Sequence, residues 1–311
     1  MNYTLHQLEV FLNVFEYQSV TKASEAMYLT QPAVSIQLKK FQEQFKIPLF
    51  EVVGRQIYIT EFGKEVAHAA QKIIEEVKAI NYKALSFQGE LAGTLRIAIV
   101  STAKYVMPYF ISDFMDKNQG VDLIMDVTNK ASVIKALENN EVDFAMVSTI
   151  PKKLKINRIE LMKNELYMVG GKDYNHKGKW LSKGEFQKLP LIYREQGSAT
   201  RLAMEKFIES RKISTYKKME LTSNEALKQA VISGLGYSIM PLIGIKNALA
   251  IGDLQIIPVK GLPIVSNWNL IWLSSKNMTT IAKALITHVN ENKQAIIRKH
   301  FSWLETSNSL L

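Results

Sequence analysis

Between Thr30 and Lys40 the chain sets hydroxyls, amides and amines at helical spacing: Thr30, Gln31, Ser35, Gln37, Lys39 and Lys40. Groups of this kind exchange hydrogen bonds with base edges and grip phosphates, so the chemistry they offer is recognition of a duplex. The apolar residues of the same stretch, Val34, Leu38, Phe41 and Phe45, recur at four, three and four, which predicts one stripe of a helix. Pro32 fits its first turn, where the missing amide hydrogen would be unpaired anyway, and Thr30 or Gln31 caps it. A shorter helix is predicted over Thr21 to Met27, with Ala23, Ala26 and Met27 on one face and Tyr28-Leu29-Thr30 as the break. Two short helices joined by such a turn can lay the second in a major groove. The same spacing also fits an ordinary helical hairpin in a small core, and the polar exposed face is what favours the first reading.

The flanking elements can position this pair. Leu5, Leu8, Leu12 and Phe15, thickened by Phe11 and Val14, make a helix from Leu5 to Tyr17 that floors it. Glu51 to Thr60 alternates β-branched residues around Gly54, a small hairpin with Arg55 at its tip, placed to enter a minor groove or hold a phosphate. From Glu61 to Phe87, Val66, Ala70, Ile73, Val77, Ile80, Ala84 and Phe87 recur at alternating four and three, a coiled-coil seam over three heptads. A helix of that length spans about 40 Å at 1.5 Å per residue. It is expected to be a dimerisation linker, which would present two reader helices to two half-sites of a partly palindromic duplex. Packing on its own chain is the alternative. Gln88 to Gly93 reads as a hinge.

The run Ala23, Ala26, Met27, Leu29, Thr30, Gln31, Pro32, Ala33, Val34, Ser35, Gln37, Leu38, Lys39 and Glu43 resembles the LysR-type transcriptional regulators. So does its continuation through Ile47, Pro48, Leu49, Phe50, Glu51, Gly54, Arg55, Thr60 and Gly63, in the same order and register. The resemblance implies a winged helix-turn-helix whose DNA contacts come from Thr30, Gln31, Pro32, Ser35, Gln37, Lys39 and Arg55. Two positions depart from the family pattern. Lys46 stands where a helix-ending glycine is common, which alters the expected helix exit; Val52 stands where arginine is common, which leaves more of the phosphate grip to Arg55.

Composition bounds the rest. The 311 residues suggest two domains, or one plus a smaller one, and a 47% hydrophobic content is enough to bury a sizeable core. There is no cysteine, which removes disulfides, thiol redox sensing and thiolate metal sites. His6, His68, His176, His288 and His300 lie too far apart for metal-ligand spacing, so no metal and no cofactor are expected. No signal-like start and no apolar run of spanning length is present, which predicts a cytoplasmic protein with no membrane partner. The net charge is +10, yet residues 1–90 hold nine Lys/Arg against ten Asp/Glu, so the excess sits in the second part. Overall basicity therefore says nothing about DNA; the local pattern does.

From residue 90 onward the rhythm is α/β. Leu95–Val100, Leu123–Val127 and Phe144–Val147 are strand candidates separated by helix candidates Ala103–Asp116 and Val133–Glu138, which predicts a parallel sheet. Later strands are expected at Leu166–Val169, Leu189–Tyr193, Tyr237–Met240, Leu254–Pro258 and Leu270–Leu273, with helices over Ser198–Arg211, Asn224–Ser233 and Thr279–His300. Ligands of such sheets bind beyond the carboxyl ends of the strands. Those ends carry Ser101-Thr102, Thr128-Asn129-Lys130 and Ser148-Thr149, each beside a helix start or turn with free amides suited to an anion. Glu195 to Ser198 and Thr222 to Glu225 open two further helices.

This region resembles the effector-binding domain of the same family, which is similar to periplasmic binding proteins. By position, Ser101, Thr102, Thr128, Ser148, Gln196, Ser198, Thr222 and Ser223 match the family's cleft, and Asn129 adjoins them. Thr222 to Val231 together with Ser101 to Tyr105 look most like the branch that regulates carbon-fixation operons. Lys104, Lys130, Arg194, Arg201 and Lys228 fall near the cleft loops; if several face inward, the ligand is an anion. If they do not, they are a solvated basic surface.

The expected layout is a winged helix-turn-helix at 1–60, a linker helix at 61–89 and a two-lobed α/β effector domain at 90–311. Lobe I would take about 94–162 and 266–311, and lobe II about 163–265. The expected function is a DNA-binding transcriptional regulator, a dimer or tetramer, controlled by a small anionic metabolite. The alternative is an α/β solute-binding protein or enzyme with a helical N-terminal module. Against an enzyme stands the lack of a nucleophile elbow, a glycine-rich phosphate loop or paired carboxylates with a base.

Overall fold

The computed structural model describes residues 2–54, 56–174, 179–215 and 218–304, with the side chains of Ser86 and Lys218 excepted. Arg55, His176 and the tail Thr306 to Leu311 lie outside the described residues. The chain divides into two compact units, Met1–Gly93 and Thr94–Leu311.

The first unit runs α1 (Leu5–Tyr17), α2 (Val20–Ala26), α3 (Gln31–Gln42), β1 (Phe50–Val53), β2 (Gln56–Ile59) and α4 (Glu61–Phe87). Each short helix starts on a side-chain cap. Thr4 and Gln7 form a reciprocal capping box, Ser19 accepts from the Lys22 amide and Thr30 from the Ala33 amide. Phe11, Val14, Val34, Phe41 and Leu49 are fully buried between these helices, and Phe41 meets Tyr3 and Phe45 edge-on. The helix α3 ends one turn earlier than its apolar stripe; Phe45 lies in the turn beyond and still packs on the core. Lys46 does not adopt the left-handed backbone a helix-ending glycine would supply. The exit is braced instead by Gln42, whose side-chain amide donates to the Ile47 carbonyl and accepts from the Leu49 amide at 2.6 Å.

The hairpin closes into α4 through Thr60 and Gly63. The Thr60 hydroxyl donates to the Pro48 carbonyl and accepts from the Gly63 amide, and Gly63 lies so close to the Leu49 carbonyl that a Cβ would collide with it. That explains both residues of the motif. Along α4 the expected single seam splits. Ala67, Ala70 and Ile74 are buried against the unit's own core, with Val66 packed beside them. Ile73, Ile80 and Ala84 face outward and Val77 is half-buried, so Val66 and Ala70 are core residues rather than part of a free seam. The cause is pitch: at 3.6 residues per turn a straight helix drifts about 20° per heptad from a 3.5 repeat.

The second unit runs β3 (Ala92–Val100), α5 (Met107–Lys117), β4 (Gly120–Thr128), α6 (Lys130–Glu138), β5 (Phe144–Val147), β6 (Ile156–Gly171), α7 (Lys183–Lys188), β7 (Leu191–Arg194), α8 (Ala199–Ser210), β8 (Lys218–Leu221), α9 (Asn224–Ile232), β9 (Ser238–Pro241), α10 (Leu242–Ala250), β10 (Leu254–Ile256), β11 (Ile264–Leu273) and α11 (Thr280–Phe301). The main sheet has the order β10-β6-β11-β5-β3-β4, with β9 also on β6. It is mixed rather than parallel: β3 and β5 run parallel, but β11 enters antiparallel to both β5 and β6. The candidates at Leu166–Val169 and Leu270–Leu273 are the ends of two long crossing strands. The first part of β6 pairs with β11, and its last part carries β9 on one side and β10 on the other. A parallel pair β7–β8 joins this second half through the Leu191–Tyr237 bridge. The architecture is two α/β lobes sharing a pair of crossing strands. Pro108 splits the expected Ala103–Asp116 helix, because proline is tolerated only in a first turn; a single 3-10 turn precedes α5.

Candidate DNA-reading helix and effector cleft

The exposed face of α3 can be drawn from burial. Val34, Leu38 and Phe41 point into the core, and the opposite side centres on Pro32, Ile36 and Lys39 at about 100° per residue. Gln31 and Ser35 lie at one edge of that face, and the Gln31 amide donates to the Ser35 hydroxyl at 3.2 Å. Gln37 does not belong to the exposed face: it is half-buried and accepts from the Gln7 amide of α1 at 3.2 Å. Thr30 is committed to its cap. Sequence reasoning passed over Ile36, which is 54% exposed, and Tyr28, which is 97% exposed with φ 55° at the turn. An apolar residue opposite the buried stripe, as Ile36 is to Val34 and Leu38, is the sequence signal for an outward position.

In the second unit a cavity of about 90 Å³ opens at the carboxyl ends of β3 and β5. Ser101, Thr102, Asn129, Ser148 and Ser198 line it, as the sequence suggested. Lys130, Asn164 and Ser266 also line it. The last two come from the crossing strands and touch through Asn164 Nδ2 and Ser266 Oγ at 3.1 Å. They are 102 residues apart, so no local pattern could have paired them. The Asn164 Oδ1 is buried with no partner. Four expected residues lie elsewhere. Thr128 lines a separate hollow with Asp126 and Lys135, and Gln196 borders an outer groove of about 440 Å³ between α6 and α8. Thr222 offers its carbonyl to Arg194, and Ser223 caps α9.

The two lobes are tied beside the cavity. The Ser101 hydroxyl accepts from Arg194 Nη1 at 3.2 Å and from Asn224 Nδ2 at 2.7 Å. The Ala131 amide donates to the Gly197 carbonyl, and Gly197, at φ +86°, has no room for a side chain against Ala131. Tyr105 donates to Glu225; burial, with that carboxylate beside it, pushes the phenol up to about 12, so it stays a donor.

Most of the cations near the cleft are already engaged. Arg194, 3% exposed, forms two bonds with Glu195 at 2.8 and 3.0 Å. Arg201 pairs with Glu205 and Glu220, Lys228 with Glu225, and Lys104 lies over the Tyr105 ring. Lys130 is the exception: among the described residues its ammonium has no ion pair or hydrogen bond. It is the first residue of α6, and burial, then the charge of Lys206, holds its ammonium below the usual lysine value. An anion placed beside it would gain the helix N-terminus as well and relieve that penalty.

A capped helix pair with a hairpin wing, in one chain with a two-lobed α/β unit that has a cavity at its strand ends, defines a one-component regulator: a DNA reader and a small-molecule sensor. Residues 5–64 match the bacterial regulatory helix-turn-helix protein of the lysR family, and residues 88–294 match the LysR substrate binding domain. The chain therefore belongs to the LysR family of DNA-binding transcriptional regulators and is not an enzyme. It is 33% identical to the HTH-type transcriptional activator CmpR of Synechocystis, over 95% of this chain and 97% of that one. It is 34% identical to the RuBisCO operon transcriptional regulator of Allochromatium vinosum, over 91% and 94%. The regulatory domain of Synechocystis CcmR, solved in complex with 2-PG, superposes with a TM-score of 0.61 at 28% identity, covering 65% of this chain and 98% of that one. These relatives place the chain beside regulators of carbon-fixation operons. Among the described residues no helix is long and apolar enough to cross a membrane.

Proposed function

We propose that this chain is a cytoplasmic regulator of a carbon-assimilation operon, switched by a small phosphorylated or carboxylated metabolite held in the cavity at the ends of β3 and β5. The observation that carries the reading is Lys130, an ammonium without a partner at the start of α6, in a cavity whose other lining combines hydroxyls and amides with Val100, Leu166, Ala203 and Ile264. A volume of about 90 Å³ is small beside the roughly 300–1,000 Å³ of drug-sized sites, which favours a compact anion. The complex of the CcmR domain with 2-PG, 2-phosphoglycolate, supports that class. Residues Ser101, Thr102, Asn129, Ser148 and Ser198 would orient the anion. Two copies, joined through the outward residues of α4, would read two half-sites. Ligand in the cavity would change how the lobes close, and through the assembly the angle between reader helices and the bend of the DNA.

The test is titration calorimetry of the full chain with 2-phosphoglycolate. Lys130→Met should weaken binding roughly tenfold or more, the worth of one charge-assisted hydrogen bond. Unchanged affinity in a folded variant would remove Lys130 as the anion's partner, and no binding by the unaltered chain would remove the assignment of this anion.

A further inference from the structure

The reader helix carries an apolar group at the middle of the face that is free to meet DNA. With Val34, Leu38 and Phe41 buried, Ile36 points almost directly away from the core, between Pro32 and Lys39. It makes no use of its side chain within the unit: it is 54% exposed and outside the buried cluster and the apolar residues packed against it. Around it stand groups suited to a duplex and not to an apolar protein surface. Lys39 and Lys40 lie in the last turn, and Gln31 and Ser35 hold each other at the edge. A branched aliphatic side chain ringed by amines and amides matches one feature of the major groove, the C5-methyl of thymine; the other base edges there offer polar donors and acceptors.

We infer that Ile36 is a specificity-determining residue that reads a thymine methyl in each half-site. The inference rests on α3 being the element that enters the groove. Its energy is that of burying a methyl against an aliphatic side chain, so the expected discrimination is roughly fourfold for each half-site. Lys39 and Lys40 would supply affinity without sequence preference.

The experiment uses the full-length chain. A random duplex pool is first selected for binding, giving the preferred site. Each thymine of that site is then replaced by deoxyuridine, which removes the methyl and leaves every hydrogen-bonding group in place. Binding is measured for the wild type and for Ile36→Ala. The exposed position and the high helix propensity of alanine keep α3 folded. Expected is one thymine per half-site whose replacement weakens the wild type about fourfold and leaves Ile36→Ala unchanged within twofold. If no replacement matters, or the same ones matter equally for both proteins, Ile36 does not read a methyl, while the helix remains the reader. If the pool yields no preferred sequence, this inference and the placing of α3 in the groove fall together.

Discussion

Replacing Arg194 with methionine should destabilise the second unit far more than removing Arg194 and Glu195 together. The guanidinium is buried, bonds Glu195 through two nitrogens, and reaches Ser101 and the Thr222 carbonyl. The Glu195 side chain is only 15% exposed, so in Arg194→Met its carboxylate is left without a counter-charge in a poorly solvated place. Breaking one side of such a pair costs about 3–5 kcal/mol, whereas replacing both charges by neutral groups of similar volume costs much less. Against a typical total of about 5–15 kcal/mol, the single change would be plain in a denaturation curve. The four tryptophans, Trp180, Trp268, Trp272 and Trp303, all lie beyond residue 94, so their fluorescence during urea unfolding reports on this unit alone. The cycle needs Arg194→Met, Glu195→Gln and the double variant. Expected is a coupling of at least about 2 kcal/mol between the two positions. A double variant that loses the sum of the two single losses would show that the pair is not a unit, and the account of Arg194 as neutralised would fail.

Two further outcomes follow from the geometry. Ile80 and Phe87 are 65% and 95% exposed on α4; Ile80→Glu should shift the full chain toward monomer in sedimentation while leaving tryptophan fluorescence unchanged. His288 packs beside Phe114 with its Nε2 buried and unpartnered, and burial, helped by Lys117 and opposed by Asp113 and Glu291, holds its pKa below 6.5. The unfolded chain takes the proton first, so stability should fall as pH drops from 6.5 through the depressed value, and His288→Gln should flatten that slope in unfolding curves between about pH 7.5 and 5.

Much of the first unit is legible because its contacts are local. The cap at Thr30 and the stripe Val34, Leu38 and Phe41 act within a turn or two of their own sequence. The bounds of α4 follow from a proline-free run whose one glycine, Gly63, lies in its first turn. Which side of that helix is free is not legible, since Val66 and Ala70 match a seam by spacing and a core by contact. In the second unit the strand ends are readable, and so Ser101, Thr102 and Ser148 fall on the cavity. Thr222 and Ser223 do not, because a helix start is a local signal and its direction is set by the sheet below it. Charge was the least readable property: Arg194 and Arg201 look like anion ligands until Glu195, Glu205 and Glu220 are placed beside them. Lys130, beside Asn129 at a strand end, reads the same way in one dimension, and only the placed carboxylates separate it from them.

The most direct measurement of the whole account is the footprint and bend of the upstream duplex bound by the full chain, with and without saturating 2-phosphoglycolate. A protected region that shortens or lengthens, with a changed bend angle, is the result expected of a reader coupled to the Lys130 cavity. An identical footprint and bend, while calorimetry on the same sample shows the ligand bound, would contradict it.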